Sequence, residues 1–270
     1  MNKNIYNKVL LITASLTLAV IWFACAKPPV VIDSYFNAEQ ELQLGNLLQS
    51  EIIADQQHFK VVDTNTYTSA YYYLNGLLDT VLEHTVGAKQ AYYRFRIYLM
   101  NDSSIRIFGL SNGSIFISTG LIKLLPTEEQ LIGILSHQVN HILLKDAINV
   151  VSDHYGVYYL NVALVYNNLY SLGSAHEIIG NSKYSYTQEL KADTIVVPNM
   201  VQSTYDSRGL ARFLQSVYFE PNELKKTSFN IMHRDYDLRV QAIYSQWVNY
   251  GSVEGKIYQA NYQALKLQLP

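Results

Sequence analysis

At 270 residues and 49% hydrophobic, the chain can bury a substantial core, as one large domain or two small ones. Its 20 basic and 22 acidic residues nearly cancel and no basic run occurs, so the electrostatic footprint of a nucleic-acid binder is missing and nucleic acid is not an expected partner. The 23 tyrosines fit a wet groove or interface, and fit ordinary aromatic packing equally well.

The amino terminus reads as an export signal. Lys3 and Lys8 precede an uncharged run at residues 9–24, short for a membrane span of about 20 residues. It ends at Ala24-Cys25, and Cys25 is the sole cysteine. That arrangement resembles a bacterial lipoprotein processing site, which implies lipidation of Cys25, a membrane anchor and a place in the cell envelope facing the periplasm. Trp22 and Phe23 are bulkier than such sites usually carry, so an uncleaved anchor or plain secretion stays open. With one cysteine no internal disulfide can form.

After the linker-like Ala26-Lys27-Pro28-Pro29, Asn37 caps a helix with an apolar face of Leu42, Leu44, Leu47, Leu48, Ile52 and Ile53. A second helix is expected at 66–84. The period then changes to two: Tyr93, Phe95, Ile97 and Leu99 alternate with Arg94, Arg96 and Tyr98, as in a half-buried strand. Short strands follow at 105–110 and at Ser114–Ser118, joined by a Ser111-Asn112-Gly113 turn. Thr127 and Gln130 have capping-box spacing ahead of a helix containing SHQVNHILLKD, Ser136 to Asp146. Residues 147–181, rich in Tyr, Leu and Val, fit a packed helix pair better than a cover for a cleft. A second capping box, Ser185 with Gln188, opens a helix in which Glu189 and Asp193 lie one turn apart.

His137 and His141 also lie one turn apart on one helix face, the spacing at which two imidazoles grip a metal. Seven histidines make a chance pair common enough that the spacing alone is weak. Ordered blocks add to it. FGLSNGSIFISTGLIKLLPTEEQLIGILSHQVNH, YSYTQELKAD and the late IMHRDYDLRV resemble, in order, the zinc metallopeptidase family of the CAAX prenyl protease, the heat-shock protease HtpX and the periplasmic protease BepA.

The resemblance implies an α+β, zincin-like fold, mainly helical, with a small mixed β-sheet whose edge strand borders the active-site cleft. It covers 37–250 as a metallopeptidase-like domain, which with the reading of the amino terminus gives 1–24 as a lipoprotein-type signal peptide, 25–36 as a linker and 251–270 as a C-terminal tail. His137, His141 and Glu189 would hold one zinc ion, leaving a fourth position for water. Asp193 would orient a ligand histidine, Arg239 would stand behind the ligands, and His233 would be either an occasional fourth ligand that blocks the water or a surface-loop histidine, since Arg234 replaces the family's proline. The strand carrying Gly113, Ser114, Ile115, Phe116 and Ile117 would be the edge that receives extended or unfolded envelope polypeptides by β-addition. The family's general base is a glutamate where this chain has Gln138, and the family prefers a small residue where it has Asn140. Three readings follow: an envelope endopeptidase, weakened by Gln138; a zinc-bound pseudopeptidase acting as chaperone or assembly factor; and a metal-free lipoprotein scaffold, which requires that His137, His141 and Glu189 not converge.

Overall fold

Strict alternation of side chains builds the centre of the molecule. In the computed structural model, which describes residues 35–219 and 236–270, strands β1 (Arg96–Met100), β2 (Ile107–Gly109) and β3 (Ser114–Ser118) form one mixed sheet. The signal-like segment, Cys25 and His233 lie outside the described residues. Ile97, Leu99, Ile107, Ile115 and Ile117 point to one face and join one core cluster. Met100, Phe108 and Phe116 point to the other face and join a second cluster. On that second face Tyr98, Phe116 and Phe108 lie in register across all three strands, and their rings stack at 4.8 and 5.2 Å.

The strand order is β1-β3-β2, with β3 parallel to β1 and antiparallel to β2. The expectation that Gly113, Ser114, Ile115, Phe116 and Ile117 form the substrate edge is therefore corrected: this segment is the central strand. Its composition explains why, since the pattern SIFIS places apolar groups on both faces and all five residues are buried. The edge strand that borders the motif helix is β2.

Helices cover both faces of the sheet. The first face is packed by α2 (Thr68–His84) and by α4 (Glu128–Leu143), reached through the short α3 (Thr119–Leu124). The second face is covered by α1 (Ala38–Ala54), α5 (Asp146–Tyr155), α6 (Val157–Tyr166) and α7 (Ala175–Asn181). Residues 147–181 thus form three packed helices rather than a pair. Asn37 caps α1 with a complete capping box, and Ser185 does the same for α8 (Tyr186–Met200). Helices α9 (Gly209–Tyr218), α10 (Tyr236–Asn249) and α11 (Ala260–Lys266) complete the first cluster.

Helix α4 is buried along nearly its whole length, and α8 and α9 flank it. The crossing with α9 is close because two glycines meet there. A Cβ on Gly209 would overlap the Glu129 carbonyl, and one on Gly133 would strike the Leu210 amide.

The capping box expected at Thr127 and Gln130 does not form. Thr127 donates its hydroxyl to Glu129 instead, and the Glu128 amide is taken by the Tyr258 carbonyl at 3.0 Å. That partner belongs to residues 251–270, which were expected as a tail and are part of the folded domain. Lys256 bridges to Tyr205, while Tyr262 is buried and donates its hydroxyl to the Ile122 carbonyl at 2.8 Å, with Leu265 and Leu269 beside it. The apolar side chains of α11 pack where a solvated tail would have none.

Replacing Tyr262 with alanine is expected to lower stability by about 3–5 kcal/mol, the range for truncating a buried aromatic. Gly133→Ala should cost about 1–3 kcal/mol through overpacking at the α4–α9 crossing. Urea unfolding of the two variants measures both.

Candidate metal centre

The site is assembled from three helices. α4 contributes His137, Gln138 and His141, α8 contributes Glu189 and Asp193, and α10 contributes Arg239. All six side chains are buried. His137 Nε2 lies 3.0 Å from His141 Nε2 and 3.4 Å from Glu189 Oε2, while His141 Nε2 lies 3.9 Å from Glu189 Oε1. Ligands around a tetrahedral zinc at about 2.0–2.1 Å stand roughly 3.3–3.5 Å apart, so these three donors are spaced to share one ion. One donor atom from each of the three lies within 4.8 Å of the others. The metal-free scaffold reading required that they not converge, and they do.

The far side of each imidazole is held by a carboxylate. His137 Nδ1 is 2.8 Å from Asp193 Oδ1, and His141 Nδ1 is 2.8 Å from Asp146 Oδ2. Each Nδ1–H donated in this way fixes the tautomer and leaves an Nε2 lone pair. Both lone pairs then aim at the same spot, which is unfavourable unless a proton or a cation lies between them. Tyr184 stacks its ring on His141 at 3.8 Å and 13°, fixing the imidazole plane from outside.

Arg239 anchors the acids. Its Nε and Nη2 reach the Asp193 carboxylate at 2.5 and 2.8 Å, and its Nη1 lies 2.8 Å from Glu189 Oε2. Burial opposes ionisation of Asp193, but the Arg239 guanidinium and His137 outweigh it and hold its pKa below the ordinary value. Burial also works against charge on His137, where the Asp193 and Glu189 carboxylates prevail and raise its pKa. On His141, burial and the neighbouring His137 push the pKa down. Counting Glu189, Asp193 and Asp146 as anions and Arg239 as a cation leaves two negative charges, the complement of a divalent ion. The donor set fits a metal in spacing, tautomer and charge.

Gln138 sits beside this cluster with neither amide atom meeting a hydrogen-bond partner among the described residues. It faces the edge strand: a Cβ built on Gly109 of β2 would lie 3.7 Å from Gln138 Oε1 and would collide with Ile142. A buried, unpartnered amide beside two convergent imidazoles is a place suited to a water molecule. Along the same edge, Phe108, Gly109, Leu110, Ile148, Val151 and Tyr184 line a narrow apolar crevice.

Asn140, which the resemblance marks as oversized, is accommodated. Its Nδ2 donates to the Ala192 carbonyl at 2.9 Å and its Oδ1 accepts from Asn199 at 3.1 Å, so it ties α4 to α8. Sequence reasoning missed Asp146 and Tyr184. Asp146 follows His141 by five residues just after the break at Lys145, whose φ is +61°, and the signal available was its place at the first turn of the next helix. Gln188, used in the α8 capping box, also donates to Asp146 at 3.1 Å.

A comparison with protein-family models matches residues 74–247 to Peptidase family M48, more than half of the chain and all of the described site. The chain belongs to Peptidase family M48. Its mainly helical fold with a small mixed sheet is the α+β, zincin-like fold of that family, and M48 peptidases are zinc enzymes. A search of curated proteins finds no match for this M48 member.

Arg239→Met removes the only guanidinium facing Glu189 and Asp193 among the described residues. It should destabilise the fold by about 3–5 kcal/mol, the cost of leaving buried charges uncompensated. Denaturant unfolding at neutral pH checks this, and a loss below about 1 kcal/mol would refute the charge balance drawn above.

Proposed function

We propose that this M48 protein binds zinc through His137, His141 and Glu189 in the cell envelope and is impaired in peptide-bond hydrolysis. The observation that carries the reading is Gln138: the grip on the metal is complete, and the side chain beside it is an amide rather than a carboxylate. Zinc, when bound, supplies Lewis acidity toward water and a peptide carbonyl. Gln138 can orient a water molecule through its amide but has no basic site for the proton and none to pass to a leaving amine. Loss of a positioned base lowers the rate by roughly 10²–10⁴. The other carboxylates at the centre are engaged: Asp193 with His137 and Arg239, Asp146 with His141 and Gln188, Glu189 with Arg239.

A second reading, a pseudopeptidase that holds extended polypeptide as a chaperone or assembly factor, is supported by β2. Arg106 and Leu110 bond to β3 at 3.0 and 2.8 Å, and by alternation the backbone groups of Ile107 and Gly109 face away from β3, beside Gln138. An extended segment could add there by backbone pairing, with the apolar crevice taking a side chain. Both readings place the chain at a membrane through residues 9–24 and Cys25. Among the described residues no helix is long and apolar enough to cross one.

The purified full chain is expected to carry stoichiometric zinc by elemental analysis, and His137→Ala with His141→Ala to lose it. Asp146→Asn should weaken zinc retention against a chelator by about 10–100-fold, as removal of a histidine's outer partner does. Gln138→Glu should speed cleavage of an unfolded protein by roughly 10²–10⁴. Equal cleavage by the natural chain and this variant would overturn the impairment, and absence of zinc would overturn the metal reading.

A further inference from the structure

Helix α6 is apolar on both sides. Leu160, Ala163 and Leu164 face the core, as an amphipathic helix requires. On the opposite side Tyr158 is 73% exposed, Val165 78% and Tyr166 70%, with Tyr159 also exposed and Val162 half-buried between them. Positions 158, 159, 162, 165 and 166 form a single helical stripe. Just beyond the helix Tyr170 is 91% exposed. From Tyr155 to Ala175 the chain has no charged side chain. A helix face that meets only water ordinarily carries charges.

We propose that this stripe docks on the lipid surface to which the protein is tethered, with the tyrosine rings at the headgroup level. The inference rests on the reading of residues 9–24 as a membrane anchor. The tether is short: residues 25–37 span at most about 45 Å when fully extended. It leads into α1, and α1 runs against the C-terminal end of α6, where Gln43 Nε2 donates to the Leu164 carbonyl at 3.1 Å and to Asn167 Oδ1 at 3.4 Å. A face on the helix packed against α1, into which a tether of that length leads, meets the membrane at high effective concentration, so a modest interfacial affinity suffices. Tyrosine suits that level, with an apolar ring and a polar tip. Because no lysine or arginine lies in the stretch, the contact needs no anionic lipid and is insensitive to salt.

Hydroxyl-radical footprinting of the full chain reconstituted in phosphatidylcholine vesicles tests this, with Tyr72 on α2, 84% exposed, as internal reference. Modification of Tyr158, Tyr166 and Tyr170 should fall at least about fivefold relative to Tyr72, as immersion in the interface requires. Val165→Asp with Tyr166→Asp should restore modification at Tyr158 and Tyr170 without changing the circular dichroism, since both positions are exposed. Protection that disappears on diluting protein into more lipid would assign the face to a second copy and overturn the proposal. Vesicle flotation separates the two premises. A chain that floats while these tyrosines react like Tyr72 overturns docking alone, and a chain that does not float overturns the anchor and the docking together.

Discussion

One buried guanidinium holds the site together. Arg239 spans Asp193 and Glu189, Asp193 holds His137, and His137 meets His141 and Glu189 at the point where their lone pairs converge. Ions taken from water into such an interior are tolerated only when paired and hydrogen-bonded, so the geometry of α4, α8 and α10 is constrained by that pairing as well as by apolar packing. The same logic applies at the far imidazole, where Asp146 is held in turn by Gln188. Each donor aimed at the centre has a charged or polar group behind it.

Much of this was legible from local spacing. Four-residue separations put His137 beside His141 and Glu189 beside Asp193, and Ser185 with Gln188 marked the start of α8, because such features depend on helix geometry alone. The span of β3 was legible for the same reason. Strand order was not, since the alternation pattern does not reveal that β3 pairs on both edges, with β1 on one side and β2 on the other. The capping box at Thr127 failed because the Thr127 hydroxyl turns to the Glu129 carboxylate, while the neighbouring Glu128 amide is met by a carbonyl remote in sequence. Asp146 was hidden by resembling an ordinary acidic residue at a helix start, a favourable position whatever it touches. Asn140 looked obstructive on the expectation of a tight helix contact, and it is the hydrogen bond to Ala192 that makes its size useful.

Gln138 gains meaning from its surroundings. On an exposed helix a glutamine in place of a glutamate would be a minor change. Here it lies between a convergent pair of imidazoles and the outward edge of β2, with the other nearby carboxylates committed to partners, so the amide alters the chemistry while leaving the shape nearly isosteric. The outward edge of β2 and the Gln138 side chain are separate parts of this arrangement, one on a strand and one on a helix.

The docking of residues 251–270 bears on how the molecule reaches this state. The helix with the histidine pair receives its first backbone partner from Tyr258, and the hydroxyl of Tyr262 closes on Ile122 across 140 residues of chain. Contacts of such long sequence separation form late, because the loop between them must be ordered before they contribute. The start of α4 is thus closed by contacts from residues 251–270. The sheet and the first helices, built from contacts nearer in sequence, form early, and this seam is among the last steps.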